Sequence, residues 1–230
     1  WLLISAIIMT FLVGFDDGSS SFEIVPWLQH LSLSFIAVAI AIIVHQTVQR
    51  FVGVEAGFRI EHKPSIYGLI AGFIIAFMSN GKLIFLSYGG FEMHTLEKHR
   101  LGYFRYHKGY FQQGKIAAAG PVANLFVAII AKQLIFLPEP LINSIVLVNV
   151  LFAITNLLPI PPMDGVHVVF ASRMAYLWIF GAVTTTGILL LYSNINIVYT
   201  LMAAAVGAVI TALFYFRNIE PKIAGSWEKK

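Results

Sequence analysis

The chain has 230 residues, of which 58% are hydrophobic and only 11% charged, with a formal net charge of +4 and no cysteine. Soluble domains run near about 45–50% apolar and roughly a quarter charged, so this composition leaves too little polar surface for a water-facing globule. Disulfides and thiolate metal sites are excluded outright. The apolar residues also fall in long blocks, not at the periods of half-buried elements, and a membrane protein is expected.

The first block, Trp1–Val13, is shorter than the ~20 residues a span needs. It reads as the tail of a truncated first helix; a signal peptide is the alternative, although the small-residue cleavage pattern is missing. An acidic polar loop, Asp16–Glu23, leads to an apolar block over about Trp27–Phe51. Ile66–Met78 is too short to cross without tilt, and Leu83–Phe91 reads as a strand or re-entrant piece. Residues 92–115 form a basic and aromatic loop. Apolar blocks then resume at Ile116–Leu137, Leu141–Leu158, Met174–Tyr192 and Ile197–Phe216, before a basic tail over 217–230.

Lys and Arg in short loops stay cytoplasmic. Placing the region after Arg50, residues 92–115 and the tail inside leaves Lys132 as the one basic residue near the outer face, where it can snorkel. Both termini are then cytoplasmic, and Ile66–Met78 must dip in and return. A tilted full span with a flipped loop is the alternative. Interleaved basic and aromatic residues over 92–115 suit either RNA stacking or lipid headgroups. Beside a membrane the second is preferred, so the expected partner is the bilayer and not nucleic acid.

Ionisable groups within a span are costly and face a cavity or a partner. His45 lies near the inner end of the second block, and Asp164 follows Leu141–Leu158 in Asn156-Leu-Leu-Pro-Ile-Pro-Pro-Met-Asp164-Gly165. Pro159, Pro161 and Pro162 stop the helix and build a stiff arm presenting Asp164, with Gly165 allowing close backbone approach behind it. An ordinary cytoplasmic Asp-Gly turn is the plainer reading.

The pattern Asn-x-x-Pro-x-x-Pro-x-Asp-Gly resembles the second metal-binding signature of the site-2 proteases, a family of intramembrane zinc metalloproteases. Gly120-Pro121-Val-Ala-Asn124 is similar to that family's Gly-Pro-x-x-Asn helix start, with Pro121 in a first helical turn and Asn124 facing the bundle. Gly89-Gly90 sits where the family carries a β element that pairs with substrate. The resemblance covers roughly residues 31–173. It implies an all-α polytopic helix bundle of the site-2 protease type with a small β or re-entrant element, one transmembrane domain over 1–230, and a prokaryotic plasma membrane. It also implies a zinc held by His45 and Asp164, Asn156 as a substrate or oxyanion contact, Asn124 as a further polar contact, and membrane-spanning protein segments as substrates.

The family's first signature, His-Glu-x-x-His, places two zinc-binding histidines on one helix face with the general base beside the first. Here the chain has His45-Gln46-Thr47-Val48-Gln49. Gln46 stands at the position of the base and Gln49 at that of the missing histidine ligand. A glutamine amide has no useful basicity near neutral pH, and its oxygen replaces imidazole poorly. Zinc is expected to be weak or absent, and peptide hydrolysis impaired. His167, three residues after Asp164, is either a substitute ligand or a polar residue at the inner rim of the next helix. His30 belongs near the outer face, while His62, His94, His99 and His107 are expected to solvate the interface. The two glutamines fit either an engineered inactive enzyme or a natural pseudoprotease that binds membrane helices without cutting them. A small-solute or ion transporter is the rival from another class, although the paired halves typical of transporters are not evident.

Overall fold

The computed structural model describes residues 1–15, 23–95, 109–134, 136–192, 197–218 and 220. In chain order the elements are α1 (Leu2–Val13), α2 (Ile24–Glu55), β1 (Phe58–Pro64), α3 (Ile66–Met78), β2 (Gly89–Thr95), α4 (Tyr110–Gln133), α5 (Glu139–Asn156), α6 (Asp164–Ala171), α7 (Arg173–Tyr192) and α8 (Ile197–Asn218). Among the described residues, α2, α4, α5, α7 and α8 are long and apolar enough to cross a membrane. The protein is thus a multi-pass helical membrane protein with a small two-stranded sheet.

At 32 residues, α2 rises about 48 Å, well beyond a hydrocarbon core of ~30 Å. It packs on α1, α4, α5 and β1 and forms the axis of the bundle, while α7 and α8 pair on one flank. Fully buried small residues, Ala37, Ala41, Ala117, Ala128 and Ala153, let α2, α4 and α5 approach closely, as membrane helices require where no hydrophobic force drives association. Large apolar side chains such as Ile43, Phe126 and Phe214 point outward.

The 13-residue α3 rises only about 20 Å. Ser65 caps it by accepting from Gly68 N at 3.2 Å, and it meets α1 through ring pairs Phe11–Phe73 at 5.9 Å and Phe15–Phe77 at 5.0 Å. The chain then runs without regular structure over 83–88, pinned where Thr155 Oγ1 donates to Leu86 O at 2.8 Å and Ser65 N donates to Tyr88 O at 3.3 Å. Irregular backbone near membrane depth survives only when fixed against protein in this way.

The sheet is antiparallel, registered from Phe58↔Thr95 to Pro64↔Gly89. Phe58, Ile60, Phe91 and Met93 are buried, whereas Arg59, Glu61 and Lys63 alternate to the open face, with Lys63 paired to Glu92. This is the period-2 pattern of a half-buried strand.

The structure differs from expectation at four points. Strand pairing begins at Gly89 and not at Leu83, because residues 83–88 spend their polar groups on α5 and on the α3 cap. The strand β1 was not anticipated, since only two apolar residues, Phe58 and Ile60, mark its buried face. Helix α4 begins at Tyr110, about three turns ahead of Gly120, so Pro121 lies within the helix and not in its first turn. Of the expected loop over 92–115, residues 92–95 belong to β2 and 110–115 to α4. Residues 96–108, with His99 and His107, lie outside the described residues, as do 16–22, 193–196 and 221–230.

Lys132 finds a partner inside the protein. Its Nζ donates to Leu190 O at 3.1 Å in a part-buried contact, placing a cation at the C-terminal turn of α7, where the helix dipole favours it. Lys132→Met is expected to lower the thermal midpoint in detergent by about 3 °C, the equivalent of roughly 1 kcal/mol in a chain of this size. An unchanged midpoint would mean that the contact contributes nothing.

Candidate functional site

The deepest polar residues converge at one place. His45 and Gln46 are neighbours on one turn of α2 and Gln49 lies on the next, while Asn124 projects from α4 and Asn149 from α5. Asp164 opens α6 immediately after the Pro159–Pro162 bend. All six are buried. The i, i+4 spacing of His45 and Gln49 puts both on one face of α2. The prolines end α5 and return the chain so that the Asp164 carboxylate meets that face. Gly165 is obligatory here, because a Cβ would lie 2.1 Å from Leu157 O.

The protons of this cluster follow from its partners. Asn124 Nδ2 donates to Ala41 O at 3.0 Å and to Asn149 Oδ1 at 2.9 Å, both of which only accept. Its Oδ1 therefore faces His45, so the His45 Nδ1 at 2.8 Å must carry a hydrogen and donate. That fixes Nε2 as the outward nitrogen, which lies 2.8 Å from Asp164 Oδ2 with one proton between them. Gln49 Nε2 donates to the same oxygen at 2.9 Å, an orientation a carboxylate acceptor imposes. Asn149 Nδ2 closes the chain on Ile145 O at 2.9 Å. The imidazole is wedged between Phe152 and Tyr88, edge-on at 5.1 and 5.7 Å, and a Cβ at Gly120 would come within 2.4 Å of Nε2.

Gln46 is engaged elsewhere. Its Nε2 donates to the Tyr88 hydroxyl at 2.6 Å. Asn156 Nδ2 donates to Phe152 O at 2.8 Å, so its carbonyl is the end left over. Gln46 Oε1 and Asn156 Oδ1 are buried without a hydrogen-bond partner among the described residues. Both are acceptors, suited to an incoming N–H and not to an oxyanion, which needs donors.

His45, Gln49, Asn124 and Asp164 are thus joined in one network, while Gln46 and Asn156 border it through Tyr88 and Phe152. Sequence reasoning missed Tyr88 and Asn149. Asn149, buried in an apolar helix, carried a signal of the same kind as His45; Tyr88 was indistinguishable from other aromatics. His62 also departs from expectation: its ring is half-buried and stacks on Tyr88 at 4.7 Å with planes 6° apart. His94 is exposed beside Glu61 and Glu92. His167 packs on Phe91 at 5.1 Å. Burial lowers the pKa of His167, with the Asp164 carboxylate acting the other way.

A catalytic zinc takes three protein donors and keeps a fourth position open. Here His45 Nε2 and Asp164 Oδ2 are suitable, but the third position is Gln49, whose amide N–H is turned toward Asp164. Among the described residues no group of three or more His, Cys, Asp or Glu is placed to hold a metal. The described residues do not fit a catalytic zinc.

The chain is 30% identical over 173 residues to a protein of Methanocaldococcus jannaschii provisionally named as a zinc metalloprotease, an alignment spanning 71% of this chain and 78% of that relative. No protein-family model matches, and no solved structure matches.

Burial pushes the His62 pKa down from 6.5 to about 4, with the Arg50 charge adding to the effect and a backbone contact at Gly90 opposing it. Between those two values the unfolded chain takes up a proton that the folded chain refuses. The stability contributed by neutral His62 is therefore complete above about pH 6.5 and is lost as pH falls toward about 4. Thermal midpoints measured from about pH 7 to about pH 5 are expected to fall, and His62→Gln to flatten that slope. An identical slope in the variant would contradict this assignment.

Proposed function

The chain belongs to the family of that archaeal zinc metalloprotease, and on this premise we propose that it is an intramembrane protein of the site-2 protease type that engages membrane-spanning segments but cuts them poorly or not at all. The observation that carries this reading is the convergence of His45 and Gln49 from α2 on Asp164 at the start of α6, all buried within a membrane-type helix bundle.

Hydrolysis of a peptide needs a group that takes a proton from the attacking water. At position 46 the amide has no such basicity, and removal of a general base typically costs ~10²–10⁴-fold in rate. Gln46 instead spends its N–H on Tyr88. What the site retains is the capacity to bind. The unpartnered carbonyls of Gln46 and Asn156 would accept backbone N–H groups from a segment whose helix is locally opened. Such a segment leaves unsatisfied donors that are costly in a membrane, and the two acceptors would offset part of that cost. A zinc at this position would need a third donor beside His45 and Asp164, as a histidine at 49 would supply.

The test is a single-pass membrane segment presented in detergent with zinc. The unaltered chain is expected to crosslink to the segment without cutting it, whereas Gln46→Glu combined with Gln49→His cuts it at least ~10²-fold faster. Efficient cleavage by the unaltered chain would overturn the reading, as would failure of both proteins to associate with the segment.

A further inference from the structure

Position 49 does more than lack a ligand. Its amide N–H and the His45 Nε2 both grip a single oxygen of Asp164, at 2.9 and 2.8 Å. We propose that this hydrogen-bonded clasp takes the place of the family's metal, so that in this chain the buried core of α2, α4, α5 and α6 closes without any metal ion. The inference rests on the family reading only for the statement that a metal belongs there. The clasp itself stands on the geometry.

Three observations carry it. First, the clasp joins elements that are far apart in sequence: α2 supplies both partners, and Asp164 lies 119 residues beyond His45. It therefore fixes the same helix-to-arm junction that a metal would. Second, the network has no slack. Asn124 holds His45 Nδ1 from behind, Asn149 and Ala41 hold Asn124, and the Phe152 and Tyr88 rings confine the imidazole. An ion entering between Nε2 and Oδ2 would have to displace their shared proton and break the Gln49 bond, with no third strong donor in return. Third, the glutamine suits this clasp specifically. A carboxylate at position 49 would face Asp164 as a like charge, and an alkyl group would offer nothing, whereas an amide extends N–H at the right reach.

Thermal unfolding of the full chain in detergent, with added zinc and with a chelator, separates the possibilities. For the unaltered chain the midpoint is expected to be the same in both. Gln49→Met, which keeps length but removes the donor, is expected to lower the midpoint by about 5 °C in both conditions. Gln49→His is expected to gain a midpoint that rises with zinc and falls with chelator. A chelator-sensitive midpoint in the unaltered chain would overturn the proposal, as would a Gln49→Met midpoint equal to that of the unaltered chain. These readouts need no cleavage. If the Gln46→Glu, Gln49→His form fails to cut or bind membrane segments while the unaltered midpoint stays metal-independent, the functional reading fails and the clasp remains.

Discussion

A carboxylate buried among membrane helices is the constraint around which this molecule is arranged. Asp164 is almost wholly enclosed, and an unpaired charge in such a place costs several kcal/mol, about 3–5 when one partner of a buried pair is removed. The fold answers with two polar partners from one face of α2 and with a relay of amides behind His45 that reaches α4 and α5. The long axis helix, the small residues that bring α4 and α5 close, the proline bend and the glycine after Asp164 all serve to deliver these groups to one point. Moving any of them by an ångström leaves a buried polar group unmatched.

Seen from this network, the two glutamines play different parts. Gln49 is integrated: its N–H donates to the buried Asp164 carboxylate. Gln46 is diverted: its N–H goes to Tyr88 and its oxygen is left over. Neighbouring turns of one helix face thus hold two neutral amides with different partners. The family relationship to the Methanocaldococcus jannaschii protein and the incomplete donor set are compatible, because a shared scaffold specifies where side chains point and not what chemistry they carry.

Much of this was legible in the chain itself. The apolar blocks matched the spanning helices because continuous hydrophobicity over ~20 residues leaves few alternatives. His45 and Asp164 stood out because ionisable groups in or beside apolar blocks demand a reason, whereas Asn124 and Asn156 were marked only by the resemblance of their motifs. The start of α4 was misplaced since Pro121 looks like a helix opening, whereas neighbouring helices tolerate a proline mid-span. Strand β1 hid because a seven-residue strand shows only two buried apolar side chains. Tyr88 and the His62 stack were beyond reach, because they depend on how an irregular segment is pinned against α5 and α3, a long-range matter that no local pattern encodes.

The most direct measurement is zinc per molecule, by elemental analysis of the detergent-purified protein beside the Gln46→Glu, Gln49→His form. The account predicts well under one zinc in the unaltered chain and about one in the altered form, since among the described residues the latter alone brings a third donor beside His45 and Asp164. One tightly held zinc in the unaltered chain would contradict it, requiring a third ligand, with His167 the first to replace.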